Sequence, residues 1–429
     1  MIVVGVLVLL VVLMILGLPL FFAMGVTSMV YLWATDVSLA LMTQRMTAAV
    51  DSFVLLAVPL FYLAGELLNA CKLTDRIVAM SRALVGHIHG GLAQVNILAS
   101  LIFAGMSGSA TADTAALGSV LVPSMKEEGY PAPFSAAVTV ASAMVGPIIP
   151  PSVGMVIVGA VADISIGRLL LAGILPGLTI GAILMIYTYF YARYYGLPRY
   201  PRAPLRTVMR ESVRGSAAIL MPVIIVVGIM SGVFTPTEAA GAAVLYALVV
   251  GLIVYRNVPF LRLWQALTSV ALGSARILAI ISVAATFSWI MVREQVPQIL
   301  GTQISTITEN PTLVLALMVL LLLAAGLVLV ASSAEIVLAP ILVPVAVQFG
   351  IDPVHFGVLI VFVLIVGGGT PPVGVLLYIA QDIADVPFPK LVRAMLPFYV
   401  PLFLAILLLM FFPQISLWIP NMVFGEAGG

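Results

Sequence analysis

Two short polar stretches interrupt an otherwise apolar chain, and they hold side chains that could bind an ion. The first stretch is Ser107–Asp113 and the second is Ser332–Glu335. Two Gly/Pro segments, Gly146–Pro151 and Gly367–Pro372, would add backbone oxygens, because a proline leaves a carbonyl one turn earlier without its hydrogen bond. Hydroxyl and carbonyl oxygens are the ligands of hard cations. The hydroxyl groups predicted to serve in this way are those of Ser107, Ser109, Thr111, Ser332, Ser333 and Thr370.

Two acids, Asp113 and Glu335, belong to the same stretches. A charge at the centre of a bilayer costs roughly 2.5–3.5 kcal/mol on insertion scales, so each acid should have a partner or a function. One interpretation is cation coordination or charge balance. The other is an acid in the first turn of a helix, where the helix dipole favours it. Half-helices that begin near Ala112 and Ala334 would also direct positive dipole ends at an anionic substrate group.

The two halves of the chain repeat one pattern. A shift of 221 positions places Gly105 on Gly326 and Gly146 on Gly367, and it also aligns the Pro-Pro pairs that follow. Each copy contains an apolar run, a polar break, a second apolar run, a turn, a third apolar run and a Gly/Pro break. One such break could simply kink a helix, but four matched breaks are typical of broken helices in an internally repeated transporter.

The composition indicates that lipid covers much of the protein surface. Hydrophobic residues make up 63% of the 429 positions and charged residues only 8%, too few to cover a water-soluble protein of this length. A net charge near +1 without a basic patch indicates no nucleic-acid partner. Cys71 is the only cysteine, so no intrachain disulfide can form. No nucleotide-binding loop or metal-ligand cluster is present, which argues against direct ATP drive and a metal cofactor.

These patterns predict an all-α polytopic membrane protein. Five crossings and one re-entrant hairpin in the first half imply that the second half starts from the opposite side, which makes the repeats inverted. The first repeat is predicted at residues 1–192 and the second at 216–429. An Arg-rich cytoplasmic linker, residues 193–215, joins them. The hairpins are predicted at about 92–128 and 311–349, and the broken helices at about 132–162 and 354–382.

The distribution of Lys and Arg predicts the orientation, because positive residues favour cytoplasmic loops. A cytoplasmic linker puts both termini outside and leaves only Arg45, Arg168 and Arg293 on the outer side. The first residues lack the basic region of a cleaved signal, so we expect a retained first span.

Two other classes of membrane protein fit the sequence less well than a carrier does. Gly105–Gly108 matches the Gly-x-Ser-Gly pattern of rhomboid-type proteases, but a serine nucleophile needs a base within reach. His87 and His89 fall in an interfacial loop and His355 starts a span on the opposite face, so none is placed mid-membrane and we expect no enzyme. An ion channel would need a continuous polar lining, whereas these breaks occur as isolated pairs.

The chain resembles the large, DctM-type membrane subunit of tripartite ATP-independent periplasmic (TRAP) transporters. The resemblance covers nearly the whole chain and lies in four motifs: Gly105–Gly118, Pro147–Ser152, Thr235–Ala239 and Gly367–Pro372. It implies a sodium-driven importer of a small organic acid, such as a sialic acid or a dicarboxylate, in the bacterial inner membrane. It also implies an elevator, in which hairpins and broken helices form a mobile transport domain against a scaffold. The implied partners are a small four-helix membrane subunit, which we expect not to be fused to this chain, and a periplasmic substrate-binding protein.

The resemblance also implies roles for residues of both repeats, with sodium as the coupling ion. The alternative is a self-sufficient carrier of the divalent-anion or arsenite type, which needs no binding protein. Sodium is expected at Ser107, Gly108, Ser109, Gly146, Ile149, Ser332, Ser333, Gly367, Gly369 and Thr370. The substrate is expected at Thr111, Asp113, Pro150, Pro151, Glu335, Pro371 and Pro372.

Overall fold

A computed structural model describes residues 2–71, 73–255 and 260–425, and every regular element within them is a helix. The predicted orientation also puts Lys72 and Arg256 in cytoplasmic loops, but these two residues lie outside the described residues. Within the described ranges, seven helical stretches are long and apolar enough to cross a membrane. They are Phe53–Ala70, Ile166–Tyr194, Leu205–Met230, Pro236–Ile253, Leu261–Arg293, Ala331–Gln348 and Phe388–Phe411.

The helices of the first half end at Tyr194. They are α1 (Ile2–Ile15), α2 (Leu20–Ala34), α3 (Ala40–Val50), a 3₁₀ turn (Phe53–Leu56), α4 (Ala57–Ala70), α5 (Leu73–Val85), α6 (Gly91–Ser107), α7 (Ala110–Glu127), α8 (Ala132–Ala143), α9 (Val153–Val161), α10 (Ile166–Ala172) and α11 (Ile174–Tyr194).

The helices of the second half begin at Leu205. They are α12 (Leu205–Met230), α13 (Pro236–Val249) with a π-helical end (Val250–Val254), α14 (Phe260–Arg293), α15 (Val296–Ile307), α16 (Pro311–Gly326), α17 (Ala331–Gln348), α18 (Pro353–Gly368), α19 (Val375–Ala384), α20 (Phe388–Phe411) and α21 (Gln414–Phe424).

Two helical hairpins form where the sequence stops one helix and immediately starts another. In the first hairpin, Gly108 has φ 60°, a left-handed conformation that glycine adopts without strain. Ser109 then caps α7, accepting the backbone N–H of Ala112. In the second hairpin the turn is longer, and α17 starts after Val330 in extended backbone. The two helices of each hairpin pack against each other.

Two helices are broken where the Gly/Pro segments fall. α8 ends at Ala143 and α9 starts at Val153, while α18 ends at Gly368 and α19 starts at Val375. Both Pro-Pro peptide bonds, 150–151 and 371–372, are cis. The hairpins and broken helices pack together across the two halves, since α19 contacts α7 and α8 while α17 contacts α9. We call these eight helices (α6–α9 and α16–α19) the central body.

The remaining helices surround the central body. α14 packs on α2, α3 and α4, and α13 packs on α4. Their outward faces carry large apolar side chains, such as Trp33 (77% exposed) and Leu205 (74% exposed). An exterior of this kind is stable when lipid covers it.

The structure corrects several expectations about the elements. The second hairpin's inner helix begins at Ala331 rather than near Ala334, so Ser332 and Ser333 lie in its first turn instead of a loop. The linker is not a separate segment, because α12 begins within it at Leu205 and continues as one helix. The span that the sequence predicts to begin at Leu278 is part of a longer helix, since α14 starts 18 residues earlier, at Phe260, and continues through Gly273. Helices α15 and α21 were not predicted.

Candidate functional site

The first hairpin places a buried acid beside the first break. Asp113 is fully buried in α7, and its Oδ1 accepts a hydrogen bond from the Ser107 hydroxyl at the end of α6. Its Oδ2 has no hydrogen-bond partner among the described residues and lies against Gly146, where a Cβ would stand. A buried carboxylate oxygen without a donor is costly, so the arrangement is suited to a bound cation.

Further oxygens surround this acid. The Ser109 and Thr111 hydroxyls are 3.0 Å apart at the start of α7, and the Ser109 N–H donates to the Ser107 hydroxyl at 3.3 Å. Gly108 lies directly against the Pro151 carbonyl oxygen, so a side chain at 108 would collide with it. The hairpin tip and the broken segment thus bring hydroxyl, carboxylate and carbonyl oxygens into one small region.

The broken segment itself is fixed by contacts that sequence reasoning missed. The Ser152 hydroxyl donates to the Pro147 carbonyl and accepts the Met155 N–H at 3.0 Å, which caps α9. Its position directly after Pro-Pro and before an apolar run was the available signal, because serine favours N-caps. The segment also packs tightly on α11, where Gly177 lies directly against Ile149. The Ile149 side chain therefore packs against α11.

A polar network of side chains holds α6 and α8 together next to the hairpin tip and the first break. The Asn96 amide donates to the Thr139 hydroxyl at 2.7 Å, and the Ser142 hydroxyl donates to the Asn96 carbonyl oxygen at 3.2 Å. The Ser100 hydroxyl in turn donates to Ser142 at 2.8 Å. All four side chains are at least 99% buried. Ser142 lies one turn before Gly146, so the network positions one side of the candidate site.

The second half brings its elements together differently. Here α16 approaches α18 at two glycines, since a Cβ at Gly326 would lie 2.9 Å from the Gly367 Cα. The Gly369 carbonyl accepts the Tyr399 hydroxyl at 2.9 Å, and Gly369 packs on Met144 at the first break. The Thr370 hydroxyl, just after α18, donates to the Val366 backbone carbonyl in that helix at 2.7 Å. The two breaks are thus in contact.

Glu335 does not occupy the position that Asp113 occupies in the first half. It is 2% exposed, and its carboxyl group lies against Gly154 in the first turn of α9. Its Oε2 has no hydrogen-bond partner among the described residues. The shift of 221 positions pairs Asp113 with Ala334, and Thr114 with Glu335. The two acids are therefore not equivalent, and Glu335 joins the second hairpin to the first broken helix.

The hydrogen bonding at Ser107 differs from that of a serine nucleophile. Its hydroxyl donates to a carboxylate, whereas nucleophilic activation uses a base that is itself oriented by a third group. His355, the histidine of the second half that could act as such a base, is buried in the first turn of α18. No cluster of three or more metal-ligating His, Cys, Asp or Glu side chains occurs within the described ranges.

Two helical hairpins packed on two broken helices inside an apolar shell are typical of polytopic transport proteins. The chain matches the family model described as "Tripartite ATP-independent periplasmic transporter, DctM component" over residues 7–415. The chain therefore belongs to the DctM family of TRAP transporter large permeases, and it is a multi-pass membrane transport component rather than an enzyme.

Similar proteins match along nearly their full length. The sialic acid TRAP transporter large permease protein of Vibrio cholerae is 41% identical over 95% of this chain and 96% of its own. The 2,3-diketo-L-gulonate large permease of Escherichia coli is 36% identical, covering 93% and 94%. The C4-dicarboxylate large permease of Rhodobacter capsulatus is also 36% identical, covering 97% and 98%. A crystal structure of the Alcanivorax borkumensis YdaH transporter shares the fold, with TM-score 0.60, 15% identity and 88% coverage of both chains.

Proposed function

We propose that this chain is the large transport subunit of a sodium-coupled TRAP importer for a small organic acid. Family membership supports the transport role. The three relatives described above are named for different substrates, but all of these substrates are organic acids. The observation that carries the sodium coupling is the fully buried Asp113 carboxylate, with one oxygen bonded to Ser107 and the other unpartnered beside Gly146.

The first sodium ion is placed between the first hairpin tip and the first break. Oxygens of Asp113, Ser107 and Ser109, with carbonyls from the segment after Gly146, supply the oxygen-rich surroundings that a hard cation needs. A cation here would compensate the buried charge, which costs more in hydrocarbon than in water. Asp113, which the resemblance assigns to the substrate, is therefore proposed here as a sodium ligand.

The second site is placed between the second hairpin and the second break. Ser332 and Ser333 contribute hydroxyls from the first turn of α17, and the segment from Gly367 to Thr370 contributes carbonyls. The inequivalence of Asp113 and Glu335 means that the two sites differ in charge, so we infer that they bind sodium with different affinities. Substrate then binds near the two Pro-Pro breaks, between the helix ends directed at the centre.

We infer an elevator mechanism in which the central body moves against the surrounding helices. The packing of α19 on α7 and α8, and of α17 on α9, supports this, because hairpins and broken helices of both halves that pack on one another can move as one body. The proposed location is the bacterial inner membrane with both termini outside, and the proposed partners are a small membrane subunit and a periplasmic binding protein.

Uptake into proteoliposomes tests this proposal. Vesicles contain this chain with its small subunit, and the binding protein loaded with labelled acid is added outside. Uptake should require an inward sodium gradient and the binding protein. Uptake that persists when potassium replaces sodium would refute the coupling. Uptake by this chain alone would instead favour the self-sufficient carrier.

A further inference from the structure

The first turns of α12 carry arginines beside exposed apolar side chains. α12 has 26 residues and is therefore about 39 Å long, whereas the hydrocarbon core of a bilayer is about 30 Å thick. One end of the helix therefore reaches the headgroup layer. That end is the N-terminal one, because its arginines are costly in hydrocarbon and favour the cytoplasmic side.

The apolar side chains of this end form one stripe. Leu205, Met209 and Val213 follow one another at a spacing of four residues, and each is between 62% and 74% exposed. The exposed residues further along the same face of the helix are Leu220, Val223 and Val227. Because positions three and four apart share a helix face, the lipid-facing surface of the span continues to the first residue of α12. We call Leu205, Met209 and Val213 the apolar stripe.

A basic stripe, formed by Arg206, Arg210 and Arg214, runs beside the apolar stripe. Each arginine is one position after an apolar residue, which places it about 100° further around the helix. One acid contacts the basic stripe: the Glu211 Oε1 accepts from Arg210 at 2.9 Å and from Arg214 at 3.5 Å. No described acid lies within salt-bridge distance of Arg206. Three arginines and one acid leave a net charge of +2.

Another side of this helix end is fixed by packing. α5 packs on α12, and a Cβ at Gly215 would lie 2.7 Å from the Met80 sulfur atom. The Tyr255 hydroxyl donates to the Arg214 carbonyl at 3.3 Å, which anchors the same end. The Arg210 and Arg214 side chains nevertheless remain 61% and 59% exposed. The two stripes are thus held in place and face outward.

An anionic phospholipid matches both stripes. Guanidinium groups bind phosphate through paired, charge-assisted hydrogen bonds, and basic residues next to a span attract the anionic lipids of the cytoplasmic leaflet. A free anion would use the arginines but leave the apolar stripe in water. A zwitterionic lipid would cover the apolar stripe, but its headgroup also carries a positive group that the arginines repel.

We propose that the first turns of α12 form a binding site for an anionic phospholipid, with its phosphate on the basic stripe and its acyl chains on the apolar stripe. The proposal concerns lipid binding alone, so its test is independent of sodium coupling and of the transported acid.

Native mass spectrometry of the purified permease in detergent, with and without its small subunit, tests the site. The probes are dioctanoyl phosphatidylglycerol, dioctanoyl phosphatidylcholine and glycerol 3-phosphate, which has a phosphate but no acyl chains. The wild type should bind phosphatidylglycerol at least about tenfold more tightly than either other probe. The triple variant Arg206→Gln, Arg210→Gln and Arg214→Gln should raise the Kd of phosphatidylglycerol by at least about tenfold.

Two further variants separate the basic stripe from general effects of charge and folding. The matched control replaces three other exposed arginines on the predicted cytoplasmic side, one each on α11, α14 and α20: Arg193→Gln, Arg262→Gln and Arg393→Gln. It removes the same charge and should change the Kd by less than about twofold. Glu211→Gln removes the acid that competes for the arginines, so it should lower the Kd by about threefold. A folding defect would not tighten binding.

Three results would overturn the proposal. Equal effects of the two triple variants would show that phosphatidylglycerol responds only to net charge. Glycerol 3-phosphate binding as tight as that of phosphatidylglycerol would indicate an anion site without a role for acyl chains. Phosphatidylglycerol binding to the lone chain that is lost in the complex with the small subunit would assign this face of α12 to the partner protein.

Discussion

The carboxyl group of Glu335 fills the space that a side chain at Gly154 would need. A Cβ at Gly154 would lie 2.9 Å from Oε1 and 3.2 Å from Oε2 of Glu335. Glu335 belongs to the second hairpin and Gly154 to the first broken helix, so this contact joins the two halves of the chain. We expect Gly154→Ala to destabilise the protein by about 1–3 kcal/mol, the usual cost of overpacking a core.

Thermal unfolding in detergent, with Gly241→Ala as control, measures this effect. A Cβ at Gly241 meets nothing within 4 Å, and alanine favours its helix α13, so that variant should be neutral or slightly stabilised. The double variant Gly154→Ala with Glu335→Ala should lose less stability than the two single losses combined, because the added methyl gains room. Additive losses would mean that the two residues are not coupled.

The approach of Gly326 to Gly367 gives a second prediction. A Cβ at Gly367 would lie 2.8 Å from the Gly326 Cα and 3.0 Å from the Leu323 carbonyl oxygen. Both neighbours are backbone atoms and cannot move independently, so Gly367→Ala should separate α16 from α18 and lower both the yield and the unfolding temperature. Gly368→Ala is the adjacent control, since its Cβ meets nothing within 4 Å. Similar unfolding temperatures for the two variants would contradict the close packing.

The sequence allowed the breaks to be predicted because glycine, proline and serine act on the backbone locally. Ser109 and Ser152 cap half-helices where the polar and Pro-Pro breaks end, and both effects depend on neighbouring residues only. Which helices meet at the breaks depends on long-range packing, which a local pattern does not encode. The Gly154–Glu335 and Gly369–Met144 contacts therefore could not be predicted.

The repeat was itself misleading in one respect. It led to matching roles for the acids near the two hairpin tips, because the tips align within a few residues. The structure places Asp113 beside its own half's break and Glu335 against the other half's helix. A shift of one position along a helix turns a side chain by about 100°, which suffices to change the element it faces.

The network around Ser142 gives a third prediction. The Ser142 hydroxyl bonds Asn96 and the Thr139 carbonyl and accepts from Ser100, whereas Ser100 makes only the last of these side-chain bonds. Ser142→Ala should therefore destabilise by about 1–3 kcal/mol, the cost of leaving buried polar groups unpaired, and Ser100→Ala by less. Paired thermal unfolding curves measure the difference. A larger loss for Ser100→Ala would show that the network is not centred on Ser142.

The same network should affect the ion site indirectly. Ser142 precedes Gly146 by one helical turn, so Ser142→Ala should raise the sodium concentration for half-maximal uptake while leaving the maximal rate largely unchanged. Ser142→Thr keeps the hydroxyl and should restore part of the affinity. If the maximal rate falls and sodium affinity does not change, Ser142 has only a structural role.

The last prediction separates the ion site from simple packing. Removing the Ser107 hydroxyl takes a donor from Asp113 and an oxygen from the proposed sodium site, so Ser107→Ala should raise the sodium requirement by roughly tenfold or more. Ser332→Ala should do the same through the second site, by a smaller factor, because Ala334 stands there in the position of Asp113. Sodium titrations of uptake, alongside unfolding temperatures, measure both effects.

Ser119→Ala is the matched control for these titrations. Ser119 is an exposed serine on α7 whose hydroxyl bonds only the Ala116 carbonyl of its own helix, so its loss should change neither sodium dependence nor stability. Asp113→Asn, which keeps the shape but removes the charge, should remove the sodium dependence of the first site and leave that of the second while the protein still folds, since a neutral amide needs no cation. If Ser107→Ala lowers stability as much as transport and leaves the sodium titration unchanged, Ser107 and Asp113 form a packing pair, and the sodium ion binds elsewhere.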